Sequence, residues 1–96
     1  MAKDERTVPL VSILEEAQKA VKDRRERYGD STVHHAITAA LWTAAIQGRV
    51  QFTPADVAIF QILDKIARQR NDPTFRDSYV DIAGYADCAA KNAGVK

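Results

Sequence analysis

TPADVAIFQILDKIARQRNDP, residues 53–73, is the stretch that decides the fold class. It opens with a three-part helix start. Thr53 is a good N-cap residue. Pro54 suits the first helical position, where its missing N–H would have had no intrahelical partner. Asp56 stands three residues after the cap, where a carboxylate can reach back to the cap's own N–H. Val57, Ile59, Phe60, Ile62, Leu63, Ile66 and Ala67 then give a broad apolar face, against a polar stripe of Gln61, Asp64, Lys65, Arg68 and Gln69. This spacing predicts a helix to about Arg70, broken by Asn71, Asp72 and Pro73.

The same reading extends in both directions. Thr7 and Pro9 signal a first helix from about Pro9 to Tyr28, with Leu10, Ile13, Leu14, Ala17, Val21 and Tyr28 on one face and Gly29 as its cap. A second helix is predicted from about Thr32 to Gln47, capped by Asp30 or Ser31 and stopped by Gly48. Its alanines, among them Ala36, Ala40 and Ala44, permit close helix approach, and Trp42 is its large anchor. RVQF, 49–52, reads as a short extended link. A fourth helix is predicted from about Phe75 to Asn92, with Gly94 beyond it. On it Tyr79, Ile82, Ala83, Ala86, Ala89 and Ala90 form one face, and Asp77, Asp81, Gly84, Cys88 and Lys91 the other. No segment reads as a convincing strand. The expectation is an all-α bundle of about four helices, one domain over 9–96, after a flexible segment 1–8.

Composition narrows the function classes. A chain of 96 residues buries only about 60–65% of the surface its unfolded form exposes. With one cysteine and no disulfide to help, a homo-oligomer is expected. A net charge of +1 argues against a general nucleic-acid binder, although a local basic pocket stays compatible with it. The lone Cys88 points to a cytoplasmic protein and reads as a small buried apolar residue. MAKDERTVPL, 1–10, lacks the apolar core of a signal peptide, and AITAALWTAAI, 36–46, is too short to span a bilayer, so no membrane role is expected.

The chemistry-bearing residues fall into a few groups. Asp77 and Asp81 share a helix face and repel each other, and Gly84 follows them at a cost of roughly 1 kcal/mol relative to alanine. The two acids either hold Mg²⁺, or orient cations that grip a phosphate, or form plain ion pairs with the third helix, or are simply solvated surface. Lys65 and Arg68, one turn apart, can hold two phosphate oxygens or pair with those acids, and Gly84 lets a backbone or ligand approach. In RRERYGD, 24–30, Arg24, Arg25 and Arg27 suit the helix C-terminus; alternatively one or two of them, Arg24 being the one taken, face a ligand across an oligomer interface, with Tyr28 stacking on a base. Asp56 is most simply satisfied by the free N–H groups of its own first turn. His34 and His35 lack the spacing of a helical zinc pair; one of them, His34, is taken as a ligand contact. Nothing reads as a Walker loop, a dinucleotide fingerprint or a hydrolase elbow.

RRERYGD, ALWTAAI, TPADVAIFQILDKIARQRNDP and RDSYVDIAGYADCA together resemble an uncharacterised family of small phage and prophage proteins, over about residues 24–90. The resemblance marks Tyr28, Gly29, Asp30, Asp56, Lys65, Arg68, Asp77, Ser78, Asp81, Gly84 and Tyr85. The helical layout is more distantly similar to the MazG-like all-α nucleotide pyrophosphatases, in which ExxE and ExxD pairs hold Mg²⁺ over a triphosphate. Asp77 and Asp81 stand near the second pair, at a spacing of four, and the first pair is missing. In size and helical simplicity the chain is similar to small phage proteins that sequester host immune signals such as cyclic nucleotides and ADP-ribose derivatives. These likenesses imply binding of a phosphate-bearing nucleotide without cleavage or cofactor, through Lys65, Arg68, Asp77, Ser78, Asp81, Gly84, Tyr85, Tyr28, Arg24 and His34. The alternatives are a Mg²⁺-dependent pyrophosphohydrolase using Asp77, Asp81 and Asp56, and a purely structural or interaction protein.

Overall fold

The computed structural model describes residues 11–96. The flexible segment expected at 1–8, and the first-helix start expected at Thr7 and Pro9, lie outside the described residues. Four α-helices run through those described: α1 (Ile13–Tyr28), α2 (Ser31–Ala45), α3 (Pro54–Asn71) and α4 (Arg76–Asn92). No strand occurs among the described residues, and no helix there is long and apolar enough to cross a membrane.

Three of these four helix starts are capped by a side chain, and α4, which follows Phe75, is not. Ser12 and Glu15 form a capping box: Glu15 N donates to Ser12 Oγ at 3.1 Å and Ser12 N donates to Glu15 Oε1 at 3.2 Å. The first helix therefore begins at Ile13 rather than about Pro9, and the S-x-x-E spacing that announces it was there to be read. Asp30 caps α2, accepting from Thr32 N at 2.9 Å. Thr53 and Asp56 form the reciprocal box expected of them at α3, with Thr53 N donating to Asp56 Oδ2 at 2.9 Å. α2 stops at Ala45, two residues before the expected end, because Gln47 turns to φ 59° and Gly48 N closes back on Thr43 O at 2.9 Å. Thr43 then fixes the link, its Oγ1 accepting from Phe52 N at 3.0 Å.

The packing agrees only in part with the faces read from periodicity. On α3 the fully buried residues are Val57 and Ala58, while Ile59, Phe60, Leu63 and Ile66 are exposed. Lys65, placed on the polar stripe, faces inward, with its side chain only 18% exposed. On α4 the buried residues are Ser78, Val80, Gly84 and Cys88, whereas Tyr79 and Ala86 are exposed. The stripe carrying Asp81, Gly84 and Cys88 is thus the core side of α4. α3 and α4 share the most extensive interface in the fold, and α1 lies on the other flank of α4. The reason is size. Alanine, glycine, serine and cysteine allow close approach of helix backbones, and among the described residues the buried hydrophobic ones are Ala17, Ala39, Val57, Ala58, Val80 and Cys88, none of them leucine, isoleucine or aromatic. Trp42, Phe52 and Phe60 form a separate aromatic cluster between α2 and α3, with ring centroids 5.6–5.8 Å apart.

Candidate functional site

Helical spacing places Arg24 seven residues after the buried Ala17, on the core side of α1. An arginine there needs a partner, and α4 supplies two. Its Nη2 approaches Asp81 Oδ1 at 3.4 Å, and its guanidinium lies 5.0 Å above the centre of the Tyr85 ring. The other Asp81 oxygen, Oδ2, lies 2.9 Å from Lys65 Nζ. One carboxylate therefore joins α1, α3 and α4, and its half-buried charge is met from two sides.

Beside this bridge, where the end of α1 meets the start of α2, is a cavity of about 550 Å³. Its walls bring Arg24, Arg25 and Lys91 together with Tyr28, Tyr85 and the first turn of α2. That volume lies within the range of small-molecule sites. Three cations offer charge to an anion, and two phenol rings offer faces to a planar group. Asp30 stands on the same wall and remains an anion. Its bonds from the Thr32 N–H and hydroxyl, at 2.9 and 2.8 Å, hold its carboxyl below the usual carboxylate range. A ligand phosphate thus has to approach from the arginine side.

His35, not His34, is the histidine that the fold buries. Asn92 Nδ2 donates to Pro54 O at 3.2 Å and lies 2.7 Å from His35 Nδ1. An amide NH₂ can only donate, so Nδ1 accepts and the ring proton sits on Nε2. His35 lines the cavity, and Nε2–H is its one remaining donor. Burial lowers its pKa from the ordinary 6.5, and the neighbouring His34 lowers it further. The signal for His35 was available in the sequence: it lies four residues before the buried Ala39, on one face of α2.

The residues singled out from sequence part into groups. Arg24, Tyr28, His34 and Tyr85 line this cavity. Lys65 and Asp81 stand behind it as the ion pair. Arg68 does not join Lys65; it pairs with Asp64 on the exposed side of α3 at 3.1 Å. Asp77 is exposed in the first turn of α4, where an acid suits the helix dipole. Ser78 is buried in packing. Gly84, expected to open space for a ligand, lies near Val21, whose Cγ2 would be 3.5 Å from an added Cβ, and lines a different cavity, of about 850 Å³, between α1 and α4. Asp56 is held in its capping box. The acids of the Mg²⁺ alternative, Asp77, Asp81 and Asp56, are accordingly dispersed, and no three His, Cys, Asp or Glu side chains gather among the described residues. Thr32 and His35 were missed because only the corner between α1 and α2 brings them to this cavity; Arg25 and Lys91 were singled out in the sequence but not taken as ligand contacts.

The fold and cavity define a small all-α protein whose polar site lies at a helix corner. The chain belongs to a family described as a domain of unknown function, DUF6378, whose model matches residues 12–93. It is 44% identical over 82 residues, 84% of its own length, to the Gene 55 protein of Mycobacterium phage L5. It is 37% identical over 81 residues, 83% of its length, to the Gene 55 protein of Mycobacterium phage D29. These matches bear out the phage resemblance of the motifs. The chain spans about half the length of both relatives, 52% in each case. No solved structure matches it.

Proposed function

We propose that the protein binds a phosphate-bearing, nucleotide-type small molecule in the corner cavity, holds it without cleaving it, and acts as a homo-oligomer. The observation behind this is the meeting of Arg24, Arg25 and Lys91 with Tyr28 and Tyr85 around one space of about 550 Å³. Guanidinium forks suit phosphate oxygens, and phenol rings suit a base. Arg24 is already oriented by Asp81 and Tyr85, so little of its side-chain freedom is lost on binding. For a phage protein, such a site suits sequestration of a host nucleotide signal.

The test is incubation of the purified protein with a panel of nucleotides, cyclic nucleotides and ADP-ribose derivatives, with and without Mg²⁺. Bound ligand is separated and analysed. Recovery of an intact nucleotide, with affinity at least tenfold weaker in Arg24→Ala and Arg25→Ala, supports the reading. Release of pyrophosphate replaces it with the pyrophosphohydrolase alternative. Absence of binding across the panel leaves the cations as structural groups and overturns it.

A further inference from the structure

α2 contains no Asp, Glu, Lys or Arg in its fifteen residues. Its core side is Ser31, His35, Ala39 and Trp42, half-buried or better. Its opposite side carries an aliphatic stripe: Val33, Ile37 and Leu41 recur every four residues and are 61%, 58% and 64% exposed. A helix without a charge on any side, and with an aliphatic stripe on its outer side, lacks the polar face of a solvent-exposed helix. α3 repeats the pattern, since Ile59, Leu63 and Ile66 lie outside while Lys65 is turned in. A sequence that directs a charged residue inward and three aliphatic residues outward on one helix places the aliphatic side against something.

We infer that the outward faces of α2 and α3 form the interface with a second copy of this chain. Area supports that occupant. At roughly 150–200 Å² per fully exposed large side chain, these six residues present on the order of 500 Å². The exposed Ala36, Ala40 and Ala44 adjoin the α2 stripe. A stable protein pair needs about 800 Å² per partner, of which roughly 65% is apolar in homodimers, so the apolar share needed is about what this face presents. A charge-free, alanine-flanked stripe suits close self-complementary packing, as a two-fold contact requires. Such a pairing would supply the large-residue core that each copy lacks. It does not depend on the ligand reading, and its test uses no nucleotide.

Light scattering on the full chain from low to high micromolar concentration is the experiment. Twice the chain mass or more is expected, with a melting temperature that rises with protein concentration. Ile37→Glu and Leu63→Glu, made separately, should each weaken self-association at least a hundredfold. Leu14→Glu, an equally exposed site on α1, should leave the mass unchanged. If the two glutamate variants fail to fold, the concentration dependence of melting in the unaltered chain gives the answer by itself. A folded monomer with concentration-independent melting overturns the inference and assigns the face to a different occupant. So does an assembly that survives both glutamate substitutions.

Discussion

Asp81 Oδ2 and Lys65 Nζ lie 2.9 Å apart at the seam of α3 and α4, each side chain less than one-fifth exposed. The pair accounts for the charged residue inside α3 and for one of the two like charges on α4. Asp81→Asn leaves Lys65 and Arg24 facing a neutral amide. The expected loss is about 1.5–3 kcal/mol of stability, the range for a hydrogen bond to a charged group, read from urea unfolding. Arg68→Ala removes only an exposed pair with Asp64 and should cost at most about 0.5 kcal/mol. Equal effects of the two substitutions would contradict the burial argument.

Gly84→Ala should be neutral or stabilising, by up to about 1 kcal/mol, since alanine is the better helix former. The added methyl would meet Val21 Cγ2 at ordinary contact distance, 3.5 Å. Thermal melting checks this. A loss of more than 1 kcal/mol would mean that the α1–α4 seam needs the glycine after all.

His35 makes stability depend on pH. Its pKa in the native state is lowered by burial, from the ordinary 6.5. Above that value both states are neutral and the group contributes no pH dependence. As pH falls through 6.5 the unfolded chain takes a proton that the native ring refuses, so stability drops until the native pKa is reached. The slope approaches about 1.4 kcal/mol per pH unit at most. Protonation would also place a proton on Nδ1, where Asn92 already donates. Urea midpoints at pH 7.5 and 5.5 should therefore differ, and His35→Gln, which keeps an acceptor for Asn92 but cannot titrate, should reduce the difference.

Local signals in the sequence predicted local structure well. The boxes at Thr53 and Asp56 and the cap at Asp30 involve neighbours in the chain, so propensity and geometry agree on them. The choice of helix face did not follow. Periodicity separates apolar from polar, and it assumes that the apolar side is inside. In α3 it is Val57 and Ala58 that are buried, and Ile59, Leu63 and Ile66 are left outside. The cavity was half legible for the same reason. Arg24 and Tyr28 are close in sequence, but only the Gly29 corner at φ 84° brings α2's first turn to them, and only the packing of α1 on α4 brings Lys91.

Metal dependence separates the proposed holding of a nucleotide from its hydrolysis. Mg²⁺ takes one or two carboxylates together with substrate phosphates. Here Asp81 is engaged by Lys65 and Arg24, Asp56 closes its capping box, and Asp77 stands exposed in the first turn of α4. The cations at the cavity can meet phosphate without a bridging metal. Binding should therefore persist in EDTA and weaken as salt rises, because its charge contacts are partly exposed to solvent. Asp81→Asn should weaken binding moderately, within about tenfold, by loosening Arg24 without removing it. Calorimetric titration with and without EDTA reads all three effects. Loss of binding in EDTA, or Mg²⁺-dependent pyrophosphate release that disappears in Asp81→Asn, would assign that aspartate to a metal and the protein to hydrolysis.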